Sequence, residues 1–100
     1  YSEELFGPVA MVYKVKNNNE AIAMANDSPY GLSAAVMASD VEHARRVGER
    51  LETGMVYINE PASTSAELPF GGVKRSGIGR ELGRYGMEEF VNKRLMKFAN

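Results

Sequence analysis

Between Leu68 and Tyr85 the chain reads LPFGGVKRSGIGRELGRY, with five glycines (Gly71, Gly72, Gly77, Gly79 and Gly83) among four cations and two aromatics. Glycine has the most backbone freedom to lose, so it weakens helix and strand alike. A stretch this rich in it is expected to be a loop, in unusual dihedrals or pressed against another segment. Loops held on a rigid scaffold are where binding and active sites concentrate. Regular structure is expected before this loop, and a helix and a final strand after it.

Upstream, Val9, Met11, Tyr13 and Val15 alternate with Ala10, Val12 and Lys14. Period two with apolar residues on both faces predicts a largely buried strand. Asn17, with Glu20 three residues on, has the form of a capping box and predicts a helix through Ala21, Ile22, Met24 and Ala25. Asn26 to Pro29 should end it. Leu32 to Ala38 reads as a second strand. Ser39-Asp40-Val41-Glu42 is a second capping box. Val41, Ala44, Val47 and Leu51 fall at helical spacing and mark a buried stripe. Glu42 with Arg46, and Arg45 with Glu49, sit four apart as exposed ion pairs. Gly54 is the expected stop, and Met55 to Ile58 is a third strand, rich in β-formers. Strand, helix, strand, helix, strand implies an α/β fold with a parallel or mixed sheet. Asn59 to Leu68 is a loop, a helix is expected from about Arg80 to Val91, and Lys93 to Phe98 (KRLMKF) reads as a sheet-edge strand guarded by lysines.

With 100 residues, one small domain or a piece of a larger one is possible. A chain of that size buries only about two thirds of its unfolded surface. Its 44% apolar and 25% charged content are those of an ordinary globular protein, and a net charge of −1 gives no electrostatic case for nucleic acid or an anionic membrane. There is no cysteine, which excludes a disulfide framework, a cysteine-ligated metal and any thiolate chemistry within these residues. No apolar run approaches the ~18 residues that span a bilayer, and no signal peptide opens the chain. A cytoplasmic address is the default expectation. Tyr1 stands where an initiator methionine would be expected, so the chain reads as a fragment or excised domain.

Familiar motifs fail on spacing. Gly77-Ile78-Gly79-Arg80-Glu81-Leu82-Gly83 has three residues, not two, between its last glycines and lacks a preceding strand, so it is not a dinucleotide fingerprint. Gly72 to Gly77 has the glycine spacing of a phosphate-binding loop, but Ile78 replaces the required lysine. His43, the only histidine, cannot build a metal site alone and is expected to be structural. Ser63, Thr64 and Ser65 have no histidine nearby to act as base, which argues against a serine hydrolase.

Four stretches in order resemble one family. Glu3-Glu4-Leu5-Phe6-Gly7-Pro8-Val9 resembles the EExFGPV motif of the NAD(P)-dependent aldehyde dehydrogenases. Pro69 to Gly77 with Gly79-Arg80-Glu81 resembles their PFGGxKxSGxGRE segment. Asn26 to Leu32 (NDSPYGL) and Gly54 to Asn59 (GMVYIN) look like two further landmarks. The resemblance covers essentially the whole chain. It implies the C-terminal part of the catalytic domain over residues 1–92, and a tail strand toward an oligomerisation sheet over residues 93–100. In that family a cysteine thiolate attacks an aldehyde, hydride passes to NAD or NADP, and water releases the acid. The cysteine, the base glutamate and the dinucleotide-binding fold lie upstream of the first motif, so the resemblance implies no catalytic residue here, and the isolated chain should be inactive.

By the same resemblance, Glu4 would accept hydrogen bonds from the nicotinamide ribose hydroxyls, as a carboxylate with two acceptor oxygens can. Its alternative is an exposed surface acid. Phe6 would contact the nicotinamide region, or else pack ordinarily. Phe70 would line the acyl pocket, where an aromatic wall expels water, or else plug the core. The loop Glu60 to Leu68, with the flanking VKRSG and EEFVNKRLM, looks most like the succinate-semialdehyde dehydrogenase branch. There a hydroxyl of this loop helps hold the distal carboxylate of the substrate, making Ser65 or Thr64 the candidate. A polar loop of turn-forming serines is the alternative. Asn59 reads as a strand-ending asparagine, and the glycines 71 to 79 as aids to close packing. Lys74, Arg75, Arg80 and Arg84 either pair with acids of a neighbouring subunit or face solvent. The expected partners are a small aldehyde and further copies of the chain through its tail strand, with no nucleic acid and no membrane. A non-catalytic interaction module is the alternative function.

Overall fold

Asn17 caps the first helix as its sequence context predicts, its side-chain oxygen accepting the Glu20 N–H at 3.0 Å. Glu20 completes the box one residue early, accepting from the Lys16 N–H at 2.8 Å. The computed structural model describes residues 3–99, so the parts of the two domain expectations that reach Tyr1 and Asn100 lie outside the described residues. Its elements are α1 (Asn18–Asn26), β1 (Tyr30–Gly31), β2 (Ser33–Val36), α2 (Val41–Gly48), β3 (Met55–Ile58), β4 (Val73–Lys74) and α3 (Gly83–Glu88).

The centre of the molecule is a β–α–β unit. β2 and β3 run parallel in the register Ser33↔Met55 to Val36↔Ile58, and α2 crosses between them and packs on both. Parallel neighbours need such a crossover. Ala44 on α2 is completely buried. Gly48, one helical turn on, is buried too, and a Cβ there would stand 2.9 Å from Val56 Cγ1, so a bare backbone lets α2 lie close on β3. β1 and β4 pair antiparallel, Tyr30↔Lys74 and Gly31↔Val73, which brings the glycine-rich loop back onto the end of α1.

Several local expectations are corrected. Asp40, not Ser39, caps α2, accepting the His43 N–H at 3.1 Å. The two residues are adjacent and both can cap, so the register of the first turn decides. Arg45 takes both helix acids, Glu42 at 3.0 Å and Glu49 one turn on, in place of the expected Glu42–Arg46 pair. α2 ends at Gly48 rather than at Gly54, and Leu51 lies beyond it. The last helix is shorter than Arg80 to Val91. Phe70 and Glu81 exchange both backbone hydrogen bonds at 2.8 Å, and Leu82 has a φ of 65°, so residues 81 and 82 are committed to a bridge and a turn.

The strands expected over Val9 to Val15 and Lys93 to Phe98 are absent among the described residues. A strand exists only with a partner to complete its hydrogen bonds, and no described segment supplies one. Their side chains stay open: Val12 is 92% exposed and Leu95 87%. Ile22 and Ala44 are the buried apolar residues among the described residues. The radius of gyration is 17.4 Å, against about 13 Å for a compact domain of this length. The fold is thus an α/β layer with large apolar faces uncovered.

Candidate functional site

The glycine-rich loop is held where it is by contacts that only bare backbone permits. A Cβ on Gly54 would stand 1.9 Å from the Gly71 carbonyl oxygen and 2.8 Å from Gly72 Cα. Gly54 therefore marks the crossing of the β3 approach and the loop, not the end of a helix. Ser76 adds a side-chain tie: its hydroxyl oxygen accepts the Gly31 N–H at 3.0 Å. Arg80 folds back and donates to the carbonyls of Gly72, at 3.0 Å, and Gly79, at 2.7 Å.

Around this loop lie two hollows. One, of about 540 Å³, is lined by Glu4, Ser28, Tyr30, Thr53, Arg75 and Ser76 among others. The other, of about 340 Å³, has Phe70, Ile78, Arg80, Glu89 and Phe90 in its walls. Leu32 and Ser76 border both, so the hollows adjoin across those side chains. Glu4 and Phe70, far apart in sequence, thus face neighbouring spaces.

The remaining candidates are placed differently. Phe6 is 93% exposed and borders neither hollow. Thr64 is exposed and Ser65 half-buried; neither borders the two hollows. The Ser65 hydroxyl donates to the Glu67 carboxylate, and that bond holds Glu67 below the usual glutamate range. Their loop is anchored at its middle, where the Tyr57 hydroxyl donates to the Ser63 carbonyl. Asn59 ends β3 as expected, with a φ of 58°, and its side-chain oxygen accepts the Ala38 N–H at 2.8 Å. It ties the exits of the two parallel strands together.

The expectation that the loop cations face solvent or another subunit is revised for Lys74 and Arg80, whereas Arg84 faces solvent as expected. Lys74 reaches the carbonyls of Asn26 and Ser28 and the Glu52 carboxylate. Arg80 binds the loop itself, and Arg84 pairs with Glu88 at 2.9 Å. Sequence reasoning did not single out Ser76 or Asn26. Asn26 donates to the Arg50 carbonyl at 2.8 Å and accepts the Glu52 N–H at 2.9 Å, joining α1 to the turn before β3. The available signal was a polar residue within each motif, with no indication of its distant partner. No group of three or more metal-ligating side chains occurs among the described residues, and no helix of them is long and apolar enough to cross a membrane.

Known proteins resemble this chain along nearly its whole length. Residues 1–96 match the profile of the aldehyde dehydrogenase family. The chain is 62% identical over 97 residues to a succinate-semialdehyde dehydrogenase [NADP(+)] of Deinococcus radiodurans, covering 97% of this chain and 20% of that protein. It is 46% identical to a probable succinate-semialdehyde dehydrogenase [NADP(+)] of Synechocystis, covering 99% of this chain and 22% of that one. Among solved structures it superposes with a TM-score of 0.93 and 49% identity on succinic semialdehyde dehydrogenase from Streptococcus pyogenes, a complex with NADP+, covering 98% of this chain and 22% of that one. It thus spans about one fifth of the length of these relatives. With four ordered motifs, a matching profile and a matching backbone, the chain belongs to the aldehyde dehydrogenase family.

Proposed function

We propose that these residues form walls of the active-site region of an NAD(P)-dependent aldehyde dehydrogenase whose substrate is succinate semialdehyde. The observation that carries this reading is the pair of adjoining hollows, with Glu4 on one and Phe70 on the other. Glu4 is an exposed carboxylate with no hydrogen bond to another described residue, which suits a group that accepts from two ribose hydroxyls. Phe6, almost fully exposed, is free to meet a nicotinamide ring. Phe70 supplies an apolar wall to the neighbouring space, where exclusion of water favours aldehyde chemistry. The dinucleotide accepts a hydride when the aldehyde is oxidised to the acid; water provides the second oxygen. The nucleophile is contributed by polypeptide beyond these residues, since the chain has no cysteine. The substrate class rests on likeness to the Deinococcus and Streptococcus enzymes. Ser65 and Thr64 are the hydroxyls for its distal carboxylate. Ser65 must leave Glu67 to serve, which makes Thr64 the readier donor.

The full-length protein provides the test. Glu4→Gln should slow hydride transfer far more than Ser65→Ala does; equal rates for Glu4→Gln and the parent remove Glu4 from the site. Alanine at Thr64 should raise KM for succinate semialdehyde and not for an uncharged aldehyde. The isolated hundred residues should reduce neither NAD+ nor NADP+. The apolar, uncovered tail around Leu95 and Phe98 supports association with another copy through that segment.

A further inference from the structure

We propose that Lys74 is a positioning residue: its ammonium fastens the glycine-rich loop to the C-terminal end of α1 and so fixes the wall that Arg75 and Ser76 give to the Glu4 cavity. The inference rests on the reading of that cavity as a dinucleotide site.

Lys74 holds a φ of 56° in β4, a conformation that non-glycine residues adopt only when their surroundings enforce it. Backbone pairing with β1 holds that conformation, and the side chain adds three contacts of its own. Nζ donates to the Asn26 carbonyl at 2.6 Å and the Ser28 carbonyl at 3.1 Å, and pairs with Glu52 Oε2 at 2.8 Å. An ammonium has three donors, and three acceptors of fixed position use them all. Carbonyls at a helix C-terminus lack intrahelical donors and carry the negative end of the helix dipole, so a cation is the favoured partner there. The Lys74 side chain is 25% exposed and its Glu52 partner 59%, so the ion pair is screened by solvent and the two carbonyl contacts carry most of the tether.

The backbone on either side follows the same track. β4 pairs with β1, the Arg75 N–H donates to the Pro29 carbonyl at 3.0 Å, and the Gly31 N–H donates to Ser76 Oγ. The loop is thereby stitched along residues 26–31, with Lys74 as its charged stitch. Arg75 and Ser76, the next residues along, line the cavity that Glu4 borders, and Ser76 is also part of the partition between the hollows. Releasing Lys74 frees that wall without touching any group that contacts the dinucleotide.

The experiment uses the full-length protein and measures the Kd for NADP+ and NAD+ by titration, with KM and kcat beside it. Lys74→Met should raise the dinucleotide Kd and KM about tenfold with kcat held within about twofold. Lys74→Arg, which keeps the charge and donors, should restore most of the affinity. Glu52→Gln removes the charge of one acceptor and should weaken binding about threefold; it reads the same tether if Lys74→Met does not fold. Unchanged affinity in folded Lys74→Met, or in Glu52→Gln where that is the folded variant, overturns the positioning role and leaves the cavity assignment standing. A parent protein that binds neither dinucleotide overturns both.

Discussion

At the scale of single residues, polar side chains hold the cavity walls through backbone groups far away in sequence. Ser76 serves Gly31, Asn59 serves Ala38, and Asn26 serves the turn at 50–52. Ser76→Ala leaves the part-buried Gly31 N–H without its acceptor. In the full-length protein it should cost about 1–3 kcal/mol of unfolding free energy by denaturant titration; a change within error means the N–H finds another acceptor. Gly54→Ala is more severe, because a methyl cannot sit 1.9 Å from the Gly71 carbonyl oxygen. It should cost about 3 kcal/mol or more, or prevent soluble expression, since backbone on both sides must move. These partners were hidden in the sequence for one reason. A serine, an asparagine or a glycine states what it can bond or tolerate, not which distant segment will be brought to it. Gly54 illustrates this: glycine fits a helix stop and a backbone crossing equally well, and only tertiary contact separates the two.

At the scale of elements, locally encoded features were legible. β3 runs over Met55–Ile58 as its β-formers predict, and Asn17 caps α1. α2 carries a testable pH dependence. Asp40 accepts the His43 N–H, and that bond is the largest cause holding its carboxyl below the ordinary aspartate range. A folded pKa below the unfolded one means the cap is at full strength above the unfolded value. It is lost as pH falls through the folded value, since the unfolded state then binds the proton more readily. Protection of the His43 amide in the first turn of α2, measured against its intrinsic exchange rate at each pH, should therefore fall in acid, beginning where ordinary aspartates protonate. Asp40→Asn, which caps without titrating, should remove the acid-dependent step. A variant that keeps the step places its origin elsewhere. The shortened α3 could not be read this way. Arg80 to Val91 has helical composition apart from its glycines, but the bridge from Glu81 to Phe70 takes its first turn.

At the scale of the whole molecule, an elongated layer measuring 63 × 33 × 24 Å leaves Phe6, Val12, Phe90, Leu95 and Phe98 open to solvent. Such surfaces mark contact with further polypeptide. The isolated hundred residues should bind a hydrophobic dye strongly and associate with concentration, whereas the full-length protein, with these faces covered, should bind far less dye. An isolated chain that is monomeric, dye-silent and cooperative in unfolding would show that it covers these faces by itself. The sequence alone determined family, fold class, the β2–α2–β3 order and the glycine-rich loop, because periodicity, capping residues and motif spacing are properties of neighbouring positions. Tertiary structure alone decided that Glu4 and Phe70 border adjoining hollows, that Lys74 grips the end of α1, and that segments 9–15 and 93–98 form no strand among the described residues. Each of those depends on where a distant backbone lies, and hydrogen bonds and close packing exist only once both partners are in place.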